Sequence, residues 1–207
     1  MSISTSIKNI IFDFGGVILN IDYQLTEKAF YSLGLKNFNE IYSQAKQKKL
    51  FDVLEKGLIS PAEFRNEIKK FINTEIADAQ IDKAWNAMLL DLPEERIRLI
   101  ETLKKKYRLF LLSNTNEIHC DAFSNYIQDK FKRDIFSEVF EKPYFSHKVH
   151  MRKPDVEIFE LVLNENKLVK EETLFVDDSI QHIDAANKIG INTLFLEKGK
   201  TIFDYFT

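Results

Sequence analysis

Apolar residues fall along this chain in two rhythms. Short continuous runs, rich in β-branched and aromatic residues, alternate with longer stretches in which apolar positions recur every three or four residues. The first kind reads as strands buried on both faces, the second as helices with one apolar face. The strands expected are "IKNIIFDF" (7–14), "YRLFLLS" (107–113), "TLFVDD" (173–178) and "NTLFLE" (192–197), with room for a short one within 138–146. Between them lie helical stretches: "EERIRLIETLKKK" opened by Pro93, "NEIHCDAFSNYIQDKF", "PDVEIFELVLNENK" after Pro154, and "SIQHIDAANKIG" stopped at Gly190. From 22 to 89 the rhythm is helical only, in "YQLTEKAFYSLGL", "EIYSQAKQKKLFDVLEKG", "SPAEFRNEIKKFI" and "AQIDKAWNAMLL". Ser60, Pro61 and Glu63 mark one of these starts as an N-cap, a first-turn proline and a capping glutamate.

Strand alternating with helix argues for an α/β fold, a parallel sheet covered by helices on both faces. The block from 22 to 89 is then an insertion after the first strand. The expected organisation is a core domain of residues 1–20 and 90–207 and an all-helical domain of 21–89. Composition narrows the class without changing this picture. With 44% apolar residues and 18 Phe, the chain is a globular protein with ample core-forming side chains. Its formal net charge of −3, with scattered Lys and Arg, offers no basic face for nucleic acid. "KQKK" at 46–49 reads as a solvated helix face. No segment has the length of a membrane span, and "MSISTSIKN" lacks the pattern of a secretory leader, so a cytoplasmic location is expected. The single cysteine, Cys120, fits a reducing compartment. Nothing in the sequence speaks to oligomeric state.

In an open parallel sheet, ligands bind beyond the carboxyl ends of the strands. Three apolar runs end there in reactive groups: Asp13, Ser113 with Asn114, and Asp177 with Asp178. Lys153 lies in the loop "HMRKPD". As a set these suit phosphoryl transfer, which is mostly positioning and charge neutralisation. An Asp can serve as nucleophile. Carboxylates brought together repel unless a hard cation such as Mg²⁺ lies between them. Lys153 would neutralise phosphoryl charge, and Ser113 would donate to a phosphoryl oxygen. Gly15 and Gly16 leave backbone N–H groups open to an anion.

The segments "FDFGGV", "LLSNT", "RKPD" and "FVDDS", in that order and spanning nearly the whole chain, resemble the four motifs of the haloacid dehalogenase (HAD) superfamily of hydrolases. The resemblance implies a Rossmann-like core and, because the insertion follows the first motif, a helical cap of the subclass I type. It also implies roles: Asp13 the nucleophile, Ser113 the phosphate-binding hydroxyl, Lys153 the charge-stabilising lysine, Asp178 a Mg²⁺ ligand with Asp177 beside it, and the Gly15 carbonyl a backbone ligand. The implied partner is a small phosphorylated metabolite.

One position departs from the family's pattern. Most of its phosphatases carry a second Asp two residues after the nucleophile as general acid and base, a group worth ~10²–10⁴-fold in rate. Here that position is Gly15. Three readings compete. A sugar 1-phosphate has a leaving oxygen that needs less help, and "FDFGGVILNID", "LLSNTNEIH" and "DLPEE" resemble the branch that includes an α-D-glucose 1-phosphate phosphatase. A dehalogenase also lacks the second Asp, but leaves Asp177–Asp178 unexplained and would want an arginine soon after Asp13. A binding or regulatory module without turnover is the third. Among other residues, Asp22 reads as a helix cap, the pair in "HKVH" (147–150) as too sparse for zinc, and Trp85 as core. His119 resembles a position often His in that same branch.

Overall fold

The structure, a computed structural model, describes residues 4–35, 49–71 and 75–206. Strand β1 (Asn9–Phe12) is followed by the helices α1 (Tyr23–Ser32), α2 (Leu50–Glu55), α3 (Pro61–Lys69) and α4 (Asp78–Trp85). Then come α5 (Glu94–Leu103), β2 (Arg108–Ser113), α6 (Glu117–Phe131), α7 (Ile135–Val139) and β3 (Lys142–Phe145). The chain continues through α8 (Ser146–Val149), α9 (Val156–Asn166), β4 (Thr173–Asp177), α10 (Ile180–Lys188) and β5 (Asn192–Phe195). The helices expected over 40–57 and 60–72 lie partly outside the described residues, as does most of "KQKK". Among the described residues, no helix is long and apolar enough to cross a membrane.

The five strands form one parallel sheet in the order β3-β2-β1-β4-β5. Successive side chains of a strand point to opposite faces, so each apolar run feeds two cores. Ile10, Phe12, Leu109, Leu111 and Val176 pack against α5 and α6 on one face, with Ile202 and Phe206. Ile11, Phe110, Leu112 and Phe175 pack against α9 and α10 on the other. Each such side chain contributes about 1.5–3 kcal/mol on burial, which is why continuous apolar runs form the centre of the sheet. The expected strand within 138–146 narrows to β3, because Ile135 and Val139 turn their apolar face inward as the short helix α7.

The helices α1 to α4 close around a third core of Phe30, Leu54, Phe64, Ile68, Ile81 and Trp85. Asp22 caps α1, its carboxylate accepting the Gln24 N–H at 2.9 Å. Ser60 and Glu63 form the expected capping box on α3. The chain enters and leaves this layer side by side: Ile21 and Leu89 form an antiparallel bridge, flanked by Asp22 N–H to Met88 C=O at 2.9 Å and Leu90 N–H to Asn20 C=O at 3.0 Å.

One histidine ties this layer to the sheet. His119 on α6 stacks on Trp85 with ring centres 5.0 Å apart, and its Nε2 donates to the Trp85 carbonyl at 3.1 Å. Thr26 Oγ1 donates to the same carbonyl, which is left without an intrahelical partner at the end of α4. The other ring nitrogen, Nδ1, then accepts from the Asn116 amide at 3.1 Å, which requires a neutral ring. Burial pushes the His119 pKa down to about 4. A depressed histidine means that the unfolded chain takes up a proton first as pH falls. Its contribution is whole above about 6.5 and is lost as pH falls towards 4. By linkage, the loss between pH 7 and 4.5 is about 2–3 kcal/mol. Urea unfolding of wild type and His119→Gln at both pH values is expected to show the variant with the flatter pH dependence; parallel dependences would refute this role.

Candidate active site

The carboxyl ends of β1, β2 and β4 open on a cavity of about 480 Å³ beneath the helical layer. Asp13 stands one residue beyond β1, its N–H still bonded to Val176 C=O at 2.9 Å as if the strand continued. Ser113 ends β2, and Asp177 and Asp178 end β4 or follow it. Adjacent parallel strands thus bring Asp13 together with Ser113 and Asp177, which are distant in sequence.

Lys153 is fully buried at the centre. Its ammonium donates to Asp13 Oδ1 at 2.8 Å and to Asp177 Oδ2 at 2.6 Å. Asp177 is further held by the Ser179 N–H at 2.8 Å and by His182 Nδ1 at 3.0 Å, so both of its oxygens are engaged. Burial pushes the Asp13 carboxyl up to about 7, with the Asp177 and Asp178 charges adding to it against the pull of Lys153. Burial acts on Asp177 in the same direction, but Lys153 and His182 outweigh it and hold this carboxyl below its ordinary value. Burial and the neighbouring Asp177 charge also push Asp178 up.

Burial leads the upward shifts of Asp13 and Asp178, and neighbouring carboxylates add to both, because the site holds more negative than positive charge. Asp13, Asp177 and Asp178 each present an oxygen within 4.8 Å of the others. One ammonium is too little to offset them, and an oxygen-lined gap of this charge fits a hard divalent cation. Because Asp177 is spent on Lys153, Ser179 and His182, the oxygens left for a cation are those of Asp13 and Asp178, with the Gly15 carbonyl on the same turn. Asp177 holds Lys153 in place beside them.

Two residues act differently from what the sequence suggests. The Gly16 N–H is not open to an anion, because it donates to Leu19 C=O at 2.8 Å. Gly16 is required instead by its backbone, at φ +79°, and by space, since a Cβ there would overlap the Asp178 carboxylate. The Asn114 side chain is likewise committed. Its Nδ2 donates to Lys153 C=O at 2.8 Å and its Oδ1 accepts Lys153 N–H at 2.9 Å, so it pins the lysine's backbone rather than reaching the cavity with a free amide. The cap of α6 is Asn116, whose Oδ1 accepts the His119 N–H at 3.1 Å.

Gly15 is a different case. It has no left-handed backbone, and a Cβ there would meet only Ile21 at 3.4 Å, an ordinary contact. A side chain is therefore absent from position 15 without the fold demanding it. Sequence reading misses His182, although its place one turn into the helix after "DDS" is a signal that it could reach back to Asp177. It also misses the pair Glu55 and Arg152, which meet across the cavity wall from segments nearly a hundred residues apart. Among the described residues "HKVH" gathers no metal set; His150 Nδ1 lies instead at 2.9 Å from the Lys56 carbonyl.

Comparison with known proteins agrees with this geometry. The family described as haloacid dehalogenase-like hydrolase matches residues 10–196. A D-ribitol-5-phosphate phosphatase of Bacteroides thetaiotaomicron is 32% identical over 195 residues, covering 93% of each chain. A solved HAD family enzyme from the same organism, in complex with magnesium and inorganic phosphate, superimposes with a TM-score of 0.83 at 37% identity, covering 94% of this chain and 96% of that one. The structure of a HAD-like family hydrolase from Porphyromonas gingivalis also has a TM-score of 0.83, at 30% identity, covering 95% of this chain and 94% of that one.

Proposed function

The chain belongs to the haloacid dehalogenase-like hydrolases, and on that premise we propose that it is a Mg²⁺-dependent phosphomonoesterase of a small sugar or polyol phosphate, working through an aspartyl-phosphate on Asp13. The observation that carries this reading is the meeting of Lys153 and Asp177, both fully buried, with Asp13 and Asp178, which line the cavity. In the first step, the free Oδ2 of Asp13 attacks phosphorus while the bond to the alcohol oxygen breaks. The alkoxide takes a proton from a water in the cavity, leaving hydroxide that accepts the proton of the attacking water in the second step. Lys153 holds Asp13 in line and meets the charge that gathers on the phosphoryl oxygens. Ser113, on the cavity wall, donates to one of those oxygens. Asp13, Asp178 and the Gly15 carbonyl would hold Mg²⁺, which supplies charge neutralisation between the carboxylates and the incoming dianion. In the second step, water attacks the aspartyl-phosphate and restores the carboxylate. Residues 21–89 serve as the cap over a core of 1–20 and 90–207, excluding bulk water during both steps.

Several relatives support the substrate class. The Bacteroides relative acts on D-ribitol 5-phosphate, whose phosphate sits on a primary carbon. That favours a primary phosphoester over the anomeric one suggested by the glucose 1-phosphate branch. The dehalogenase reading, which needs no metal, leaves the additional carboxylate of Asp178 beside Asp13 and Asp177 without a task. Phosphate release from ribitol 5-phosphate and a panel of sugar phosphates, with Mg²⁺ and with a chelator, tests the proposal. Metal-dependent release is expected. No release from any of them would refute it, and metal-independent chloride release from 2-chloropropionate would support the dehalogenase reading instead.

A further inference from the structure

We propose that Glu55, on cap helix α2, reads the hydroxyls of the alcohol half of the substrate and so selects polyol and sugar phosphates over aliphatic or aromatic ones. This rests on the phosphomonoesterase reading above and adds the residue that sets its substrate class.

The cavity wall facing Asp13 from the cap is largely apolar, through Ile21, Phe51, Trp85, Met88 and Leu89. A polyol pressed against such a wall gives up water and needs hydrogen-bond partners in return. Tyr23, Gln24, Thr26 and Glu27 also line it from α1, and two of the polar groups around it are already committed. Thr26 Oγ1 bonds to Trp85 C=O and receives the Met88 N–H, and both ring nitrogens of His119 are engaged. Glu55 is not. Its Oε2 lies 2.8 Å from Arg152 Nε, a close ionic contact, yet among the described residues neither atom completes a hydrogen bond. The side chain is about a quarter exposed, and it lines the cavity that Asp13 also lines.

The charges facing Glu55 are Arg152 and Lys153 from the loop after α8 and Asp52 on its own helix. Burial pushes the Glu55 carboxyl up in spite of Arg152, as befits a carboxylate short of donors. Glu55 Oε2 is buried against Arg152, which leaves Oε1 as the oxygen that can accept from a substrate hydroxyl. Arg152 fixes the carboxylate's place, and a bound polyol would donate a hydrogen bond to it.

A plain latch between cap and core is the competing account, and the latch is made by others. Asp52 pairs with Arg152, and Lys56 pairs with Asp155 at 2.7 Å. Neither Asp52 nor Lys56 lines the cavity. Glu55 is the acidic member of the cluster that does, beside Arg152.

The test is the ratio of kcat/KM for ribitol 5-phosphate to that for n-pentyl phosphate, which has the same carbon count and no free hydroxyl. Glu55→Gln is expected to lower this ratio ~10- to 100-fold, the worth of one hydrogen bond to a charged group. Asp52→Asn, which disturbs the same ion-pair cluster without touching the cavity, is expected to keep the ratio within about twofold. Far-UV circular dichroism and melting temperature establish that both variants fold. An unchanged ratio in Glu55→Gln, or an equal fall in Asp52→Asn, overturns the role of Glu55 and leaves the phosphatase reading standing. Absence of phosphate release from either ester by wild type overturns both.

Discussion

Asp13→Asn is expected to abolish phosphate release, lowering turnover by about 10⁴-fold or more, as removal of a covalent nucleophile does elsewhere. The substitution is nearly isosteric. Lys153 retains Asp177 as a buried partner at 2.6 Å, so the fold should persist while the chemistry stops. It also removes one of the two carboxylates left to hold a cation, and Mg²⁺ affinity should fall with it. Steady-state phosphate release measures the first effect and isothermal titration with Mg²⁺ the second. Intact-mass analysis of acid-quenched protein during turnover should find a phosphoryl adduct on wild type and none on the variant. A variant retaining more than about a hundredth of wild-type turnover would rule out nucleophilic attack by Asp13.

Lys153→Met should cost both stability and activity. Among the described residues the lysine is the one ammonium against the Asp13 and Asp177 carboxylates, and all three groups are buried. Removing it strands those charges, at about 3–5 kcal/mol for breaking a buried pair. Transition-state charge on the phosphoryl group also loses its counter-ion, costing ~10²–10³-fold in kcat. The pH dependence has a definite sign. Asp13 already titrates near 7 with Lys153 present. Without it, the carboxyls move further up, and the folded variant takes up protons that the unfolded chain binds only at lower pH. The stability deficit relative to wild type should therefore shrink as pH falls from 8 to 5. Thermal unfolding of both proteins across that range, without metal, is the measurement. A deficit that is the same at both ends would mean that lost packing, rather than stranded charge, dominates. Added Mg²⁺ at pH 8 should recover part of the deficit, because a divalent cation takes up the same uncompensated charge.

The two predictions concern residues visible in the sequence for different reasons: Asp13 ends an apolar run, and Lys153 stands in the motif "RKPD". An isolated Asp before Gly-Gly is usually a turn residue, and Lys153 before Pro154 would usually be a solvated loop side chain. The recurrence of polar groups at the ends of successive strands gives Asp13 another reading, and its place among the four motifs gives Lys153 one. The strands were equally legible, since a strand covered on both faces must be apolar through its middle, as residues 10–12 of β1, 109–112 of β2 and 174–176 of β4 are. Asp22 and the Ser60 box were legible too, because a helix start needs its exposed N–H groups satisfied by neighbours in sequence.

What the sequence alone determined is local or pairwise-simple: where strands and helices run, which polar groups end them, and that these polar groups suit phosphoryl transfer with a divalent cation. Tertiary structure decided which partner each group has. Two adjacent glycines look alike in sequence, but Gly16 is held by a left-handed backbone and the nearby Asp178, whereas Gly15 is under neither constraint. Asn114 looks like a ligand until its amide is seen to close on the Lys153 peptide. Asp177 and Asp178 are adjacent, yet one faces inward to Lys153 and His182 and the other stays free, because successive residues at a strand end point to opposite sides. Glu55 and Arg152 carry no mark at all in sequence. Their pairing depends on how a helix of the insertion settles over a loop nearly a hundred residues away, and long-range packing of that kind leaves no periodicity to read.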